Sequence, residues 1–266
     1  MYNYKGDYMK QIHFVSGLPR SGTTLLSAIL NQNPKFQASI SGPLARFTRA
    51  IIDQSSAMSG YRYQCPAEKR KQIIYGIVDN YYDDPSKEVF FDTNRGWTSM
   101  TPLIKELYPQ AKIILCVRDI NWVLDSFEQL YRKNPLDKSL MIPDEYNATV
   151  YSRCDYLMRS DMTVGFAYQC LKQAITSNEK SSIFLIEYEQ LCKNPEGMMR
   201  ALYNFIDQPY YEHNFNDVES HYDEFDADVN LKGLHTTRKK IEWVERPMVL
   251  PPDIQHKFSN MEVWRK

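Results

Sequence analysis

Residues 16–26 read S-G-L-P-R-S-G-T-T-L-L. Gly17 and Gly22 have the G-x-x-x-x-G spacing that lets backbone N–H groups wrap a phosphate. A nucleoside triphosphatase follows the second glycine with Lys and then Ser or Thr. Here Thr23 holds the Lys position, and the nearest cation is Arg20, inside the loop. Ser21, Thr23 and Thr24 add hydroxyl donors at the start of a run with helical spacing, where the helix dipole favours an anion. The spacing alone also fits an ordinary strand-to-helix turn with Ser/Thr caps. At a strand–helix junction and with P-R-S-G-T-T filling it, the loop points to an anion site.

On the near side of the loop, Q-I-H-F-V-S (11–16) reads as a strand; on the far side, T-L-L-S-A-I-L-N (24–31) reads as a helix. Residues 66–82 predict a second helix with Pro66 in its first turn, followed by a strand at E-V-F-F-D (88–92). S-M-T-P-L-I-K-E-L-Y-P is a short helix stopped by Pro109. A-K-I-I-L-C-V (111–117) is the clearest buried strand, because five of its residues are consecutive apolars. N-W-V-L-D-S-F-E-Q-L-Y-R is then an amphipathic helix, with Asp119 placed as N-cap. Residues 146–178 have helical spacing with little turn chemistry, so one long helix or two short ones fit. S-S-I-F-L-I-E-Y is another strand, and N-P-E-G-M-M-R-A-L-Y-N-F-I a helix capped by Asn194 with Pro195 first. Strands alternating with helices argue for an α/β fold with a central parallel β-sheet flanked by helices. With no internal repeat or low-complexity linker, residues 1–266 are expected to form one domain. Residues 131–146 have loop chemistry suited to covering a site, and 208–240 are polar with little periodicity.

Composition narrows the classes further. A 43% hydrophobic and 24% charged chain is ordinary for a soluble globular protein. A net charge of −1 implies no bulk attraction to nucleic acid or to a membrane, so any anion site must be local. Nineteen tyrosines leave room for an aromatic site for a sugar or nucleobase, although core packing is the plainer account of them. The five cysteines show no C-x-x-C pair, and none has a histidine at metal-ligand spacing, so no metal site is expected. Their odd number and scatter argue for a reducing compartment. The polar N-terminus and the absence of an apolar run of spanning length complete the expectation of a cytoplasmic protein without a membrane span.

A second constellation is I-I-L-C-V-R-D followed by a helix carrying Ser126. Arg118 falls at the carboxyl end of a strand, where doubly wound sheets bind their ligands, and Ser126 lies roughly two turns into the next helix. Both can reach one phosphate. An arginine paired to a nearby carboxylate and a solvated serine is the plainer reading. A rival is that Asp119 ends an apolar strand as the Mg²⁺-binding Asp of ATPases does.

Taken together, P-R-S-G-T-T-L-L and V-R-D with a serine eight residues after the arginine resemble the sulfotransferases that use 3′-phosphoadenosine-5′-phosphosulfate (PAPS). F-L-I-E-Y-E-Q-L-C-K-N-P is similar to that family's Tyr-Glu-x-Leu…Pro segment, and V-N-L-K-G-L to its basic stretch that closes over the nucleotide. The matches run in order from about residue 12 to 235 and are nearest the bacterial and tyrosylprotein-type members. The resemblance implies a P-loop-containing nucleotide-binding fold and sulfuryl transfer from PAPS to an acceptor hydroxyl or amine, with the bisphosphate PAP as product. It assigns Arg20, Ser21, Gly22, Thr23 and Thr24 to the 5′-phosphosulfate, and Arg118 and Ser126 to the 3′-phosphate. It adds Tyr188, Lys232 and Gly233 as nucleotide-side residues. The absent lysine is then intelligible. A sulfuryl group carries less charge than a terminal phosphoryl group, and Arg20 is placed to stabilise the charge that builds on the bridging oxygen.

The acceptor side departs from the family's pattern. Ser41 stands where some relatives carry Glu, and F-F-D-T-N-R-G-W lacks the Lys and His that others place after the second strand. Arg95 is a suitable sulfonate clamp but too basic to abstract a proton. Asp92 is a candidate base or a turn residue, and His235, in G-L-H-T-T-R, is the leading candidate base. Trp97 is either a pocket floor or a core residue, and histidines 13, 213, 221 and 256 are expected to be structural or exposed. The acceptor itself, whether small molecule, carbohydrate, lipid or peptide, is left open, with segments near 40–65 and 131–165 shaping its pocket. Two alternatives stand beside this reading: a P-loop kinase or NTPase using Asp119, and a non-catalytic PAP-binding module.

Overall fold

Both glycines of the opening loop are forced by what lies against them. A computed structural model describes residues 10–56 and 60–265; the polar stretch 1–9 considered above lies outside the described residues. The loop follows β1 (Gln11–Gly17) and leads into α1 (Thr23–Leu30). A Cβ on Gly17, whose φ is +123°, would sit 2.0 Å from the Cys116 carbonyl oxygen of the adjacent strand. A Cβ on Gly22, at φ +94°, would sit 2.8 Å from Cδ2 of Tyr188. Only glycine allows both backbone conformation and approach.

Five strands form one sheet: β1, β2 (Phe36–Ala38), β3 (Val89–Thr93), β4 (Ile113–Val117) and β5 (Ile183–Glu187). Their order is β2-β3-β1-β4-β5, every pairing is parallel, and β1 is central. The register sets Gln11 beside Val89, Phe14 beside Ile113, and Ile113 beside Ile183. The chain winds outward from β1 to β2, returns to β3, then crosses to β4 on the other side. The carboxyl ends of β1 and β4 therefore flank a topological switch point.

The run of five apolars in β4 has the expected cause. Ile113, Leu115 and Val117 pack into one core layer, while Ile114 and Cys116 pack into the layer on the opposite face. Alternation along a strand buries both sets only when helices cover both faces. The Cys116 thiol behaves as a buried hydrophobe, its pKa pushed up to about 12 by burial. All five cysteines are free.

The helices are α2 (Leu44–Ser56), α3 (Tyr61–Gln64), α4 (Ala67–Tyr81), α5 (Thr101–Leu107), α6 (Ile120–Lys133), α7 (Asp144–Asn147) and α8 (Val150–Met158). They continue with α9 (Thr163–Thr176), α10 (Tyr188–Lys193), α11 (Pro195–Phe205), α12 (Asp223–Ala227) and α13 (Pro252–Lys257). Asp119 caps α6, accepting from the Trp122 N–H at 3.0 Å, and Asn194 caps α11, accepting from Gly197 N–H at 3.1 Å. The ambiguous stretch 146–178 resolves mainly into α8 and α9. A reciprocal Thr149–Ser152 capping box starts α8.

Sequence reading gave no sign of β2, α2 or α3. A three-residue strand is too short to show alternation. α2 does carry an apolar stripe at helical spacing, with Leu44, Ala45 and Thr48 buried and Ile51 and Ile52 packed against the core, and sequence reading passed over it. Between α12 and α13, residues 228–250 form an irregular strap that lies over the carboxyl edge of the sheet.

Candidate active site

At the carboxyl ends of β1, β3 and β4 lies a cavity of about 1610 Å³. Its lining draws on the loop after β1, one face of α2, residues along α6 from Trp122 to Lys133, Tyr188 and the strap. Ten Lys and Arg residues line it against four Asp and Glu, in a chain whose overall charge is −1. That local excess suits an anion, in keeping with the expectation that any anion site in this chain must be local.

The loop is tightly wound: Gly17, Arg20 and Gly22 all have positive φ, at +123°, +59° and +94°. For Arg20 this left-handed backbone is uncommon and requires support from its surroundings. The support comes from two sides. Arg118 Nη1 donates to the Arg20 carbonyl at 3.1 Å, and the Leu18 N–H is held by the Cys116 carbonyl at 3.0 Å. Gly22 is the N-cap of α1 and offers no side-chain acceptor, so the first N–H groups of that helix stay available to an anion. Thr23 and Thr24 line the cavity beside them.

Ser21 corrects the sequence reading. Its side chain is fully buried, and its hydroxyl is 2.5 Å from the Leu18 carbonyl and 2.9 Å from that of Cys116. The single hydroxyl proton is committed to those carbonyls, so this side chain braces the loop, and of Ser21 only the backbone N–H is left for an anion.

Arg20, Arg118 and Ser126, remote in sequence, meet. Arg20 Nε donates to Ser126 Oγ at 3.1 Å, and its Nη1 donates to the Leu234 carbonyl of the strap. Burial and the neighbouring Arg118 charge push the Arg20 pKa down to about 10. Arg118 is stacked on the Tyr188 ring, 4.4 Å from its centroid, and burial lowers its pKa too. Its Nε is buried without a hydrogen-bond partner. Two guanidinium groups crowd together here with no carboxylate paired to either among the described residues, an arrangement that an anion would relieve.

Around Arg118 the aromatics form a frame that the sequence analysis did not locate. Trp122 and Trp243 meet edge to face at 6.2 Å, and Tyr188 lies 6.4 Å from Trp243. Arg246 covers Trp122 at 4.9 Å and is held at 2.5 Å by Asp125, a fully buried carboxylate on α6. Trp243 sits in the irregular strap, where no periodicity marks it. Lys232 and Gly233 line the cavity from the same strap, Lys232 exposed and Gly233 with φ +81°.

At the other end stand Arg46 and Arg49 on one face of α2, and Arg95 on the short 3₁₀ helix Arg95–Met100. Arg95 is reached by solvent within the cavity, yet the walls around it and the charge of Arg46 hold its pKa below the ordinary value. Spacing of three on a helix puts Arg46 and Arg49 side by side. That spacing was visible in R-F-T-R but needed the helix to give it meaning. Ser41 also lines the cavity.

His235 lies between the two ends. Its Nδ1 is 2.6 Å from Asp226 Oδ1, and its backbone N–H lies 3.2 Å from both oxygens of the same carboxylate. Phe225 packs against the ring edge-on, centroids 4.7 Å apart. Burial lowers its pKa and the charges of Arg20 and Arg95 add to this, against the opposing pull of Asp226. Sequence reading missed Asp226, one acid among several in H-Y-D-E-F-D-A-D.

Two other candidates are displaced. Asp92 is fully buried and outside the cavity lining, where it accepts from Tyr82 Oη at 2.7 Å and Trp97 Nε1 at 2.5 Å. It is a core acid with a pKa raised by burial, and Trp97 is its core partner. Asp119 is engaged as the cap of α6 and also lies outside the cavity lining, which argues against the metal-binding role of the ATPase rival. Burial and Glu262 raise its pKa to about 6. His13 is buried, His213 is ringed by Tyr203, Tyr210, Tyr211 and Phe215, and His221 and His256 are exposed.

The sequence profile described as "Sulfotransferase family" matches residues 13–212. This chain belongs to the sulfotransferase family. It is 25% identical over 251 residues to protein-tyrosine sulfotransferase 1 of Danio rerio, covering 88% of this chain and 62% of that protein. Against protein-tyrosine sulfotransferase A of Caenorhabditis elegans it is 24% identical over 264 residues, covering 91% and 62%. The chain thus spans somewhat less than two thirds of the length of these curated relatives. Among solved sulfotransferases, the fold matches the domain from the curacin biosynthetic pathway with a TM-score of 0.56 at 15% identity, covering 94% of this chain and 96% of that one. The enzyme from Alicyclobacillus acidocaldarius matches with a TM-score of 0.52 at 12% identity, covering 94% and 90%. Within the family's fold, the lysine-less loop after β1 and the arginine after β4 occupy adjacent strand ends.

Proposed function

We propose that this chain transfers a sulfuryl group from PAPS to an acceptor hydroxyl, and that the acceptor is a tyrosine-like phenol in anionic surroundings. The observation that carries the donor assignment is the meeting of Arg20, Ser126 and Arg118 beside a loop without lysine, with Arg118 Nε buried and unpartnered. A cavity of about 1610 Å³ exceeds the roughly 300–1,000 Å³ of ordinary small-molecule pockets, so donor and acceptor fit together.

When bound, PAPS supplies the sulfuryl group and a bisphosphate leaving group. Arg118 and Ser126 would hold the 3′-phosphate, with Lys232 and Gly233 closing from the strap. Backbone N–H groups from Arg20 to Thr24 and the Thr23 and Thr24 hydroxyls would hold the 5′-phosphosulfate. The frame of Trp122, Tyr188 and Trp243 would take the adenine ring. Arg20 would stabilise charge on the leaving bridging oxygen, and His235 Nε2 would take the acceptor's proton. The site draws on residues from β1 through the strap to Arg246, so this reading treats residues 1–266 as one sulfotransferase-like domain.

The acceptor assignment rests on Arg46, Arg49 and Arg95, which stand in the cavity with no ion pair among the described residues. The curated relatives are named for acting on protein tyrosine, a phenol that an acidic sequence context can carry into such a site.

Radiolabelled PAPS with a tyrosine peptide flanked by acidic residues tests the whole reading. Transfer to that peptide, abolished by replacing the tyrosine with phenylalanine and weakened by replacing its acids with serine, is the expected result. Mg²⁺-dependent turnover of ATP, or binding of PAP with no transfer to phenols or other hydroxyls, would overturn it.

A further inference from the structure

We infer that Asp226 is a positioning residue that fixes the tautomer and orientation of His235; the inference rests on the proposed role of His235 as proton acceptor. Nothing in the sequence separated Asp226 from the acids around it. In the fold it is set apart: only 1% exposed, it sits on the five-residue helix α12 and directs its carboxylate at one residue of the strap.

The contacts dictate the chemistry. An ionised carboxylate has only acceptor sites, and this one already faces the backbone N–H of His235 with both oxygens at 3.2 Å. The ring nitrogen 2.6 Å away must therefore be the N–H of the imidazole. With Nδ1 as donor, the neutral ring keeps its lone pair on Nε2, the nitrogen on the side away from Asp226. Three constraints then act on one ring: the carboxylate at Nδ1, the same carboxylate at the backbone, and Phe225 edge-on.

Charge adds a second role. The groups acting on His235 are Asp226, from α12; Arg20, from the loop after β1; and Arg95, from the 3₁₀ helix after β3. The two arginines favour the neutral ring and make it a weaker base. Asp226 is the one group among these that opposes them, so it preserves basicity in a cavity crowded with cations. Arg20 also donates to the carbonyl of Leu234, the residue before His235. The loop that faces the donor and the ring that faces the acceptor are thus tied to neighbouring peptide units, and Asp226 anchors the second of them.

The test uses Asp226→Asn and His235→Gln in the full chain, read by ¹⁵N NMR of the histidine rings and by sulfuryl transfer. The wild-type His235 ring is expected as the Nδ1–H tautomer. In Asp226→Asn its titration midpoint is expected to fall and the tautomers to mix. Transfer should lose about 100-fold or more in kcat, with the KM for PAPS changed less than about 3-fold, as for removal of an orienting carboxylate behind a catalytic histidine. The acid limb of the pH–rate profile should move to lower pH with the ring. A wild-type ring carrying its proton on Nε2 overturns the inference without any variant, including the case in which Asp226→Asn does not fold. So does a folded Asp226→Asn with unchanged kcat and pH profile while His235→Gln is inactive. Full transfer by His235→Gln defeats instead the role of His235 as base, and the NMR result separates the two failures.

Discussion

Replacing Arg118 by alanine separates the 3′-phosphate from every other feature of the nucleotide. Its guanidinium is buried, stacked on Tyr188 and left with an unpartnered Nε, so its free-state interactions are few: one bond to the Arg20 carbonyl and two rings, Tyr188 and Trp122. A charged hydrogen bond contributes about 1.5–3 kcal/mol, and loss of the arginine's share of a phosphate site should weaken PAP by about 2.7 kcal/mol, or roughly 100-fold. At a PAP concentration 100 times the wild-type Kd, ligand stabilisation of about 2.7 kcal/mol should shrink to about 0.4 kcal/mol. For a domain this size each kcal/mol moves Tm by about 2–4 °C, so a PAP-induced rise of about 5–11 °C falls to about 1 °C. Adenosine 5′-monophosphate, lacking the 3′-phosphate, should give the same small shift with either protein. Unliganded Tm should change little, because removing Arg118 also relieves its crowding of Arg20. Thermal shift across both nucleotides checks all three numbers. An equal loss for PAP and the monophosphate would refute the assignment, and so would an unchanged PAP shift.

Gly22→Ala should abolish the PAP shift and lower Tm, since it meets both φ +94° and the Tyr188 ring at 2.8 Å. Gly17→Ala, 2.0 Å from a strand carbonyl, should yield no soluble folded protein; expression and circular dichroism check both. Asp92→Ala leaves Tyr82 Oη and Trp97 Nε1 without their acceptor and should cost about 2–4 kcal/mol in chemical denaturation, yet leave the PAP Kd within a few-fold. For acid stability, burial holds the His13 pKa at about 3 and the His213 pKa at about 4, both below the ordinary 6.5. The unfolded chain binds those protons first, so stability should fall by up to about 1.4 kcal/mol per pH unit for each histidine as pH drops below 6.5. Urea melts at pH 7.5, 6 and 5 should show this loss, reduced in His13→Asn.

Four of the five strands were legible because each of their core residues serves a local rule, and only the three-residue β2 was too short to show it: β4 reads as five apolars since both of its faces are covered. The loop was legible for a related reason, as Gly17 and Gly22 answer to backbone geometry that spacing records. Ser21 could not be separated from Thr23 by type, because only the fold shows which hydroxyl meets Cys116. Arg46, Trp243 and Asp226 were hidden by a different cause. Their roles come from tertiary approach of α2, the strap and α12 to the sheet edge, and nothing in their near-neighbour sequence encodes that approach. His235 was found through family position, and its partner only through a distance.

The concentration of cations inside the cavity has a counterpart outside it. Ten of thirty-two basic residues line the cavity and four of thirty-three acids do, leaving twenty-two bases against twenty-nine acids over the rest of the chain. Four of those acids, Asp92, Asp125, Glu128 and Asp226, are buried, so the contrast lies mainly in the mouth, where the cations gather to face a small anion. Such a molecule is an electrostatic funnel whose positive charge is concentrated at its mouth. Its association rate with a multiply charged nucleotide should drop as salt shortens the screening length towards the width of the opening.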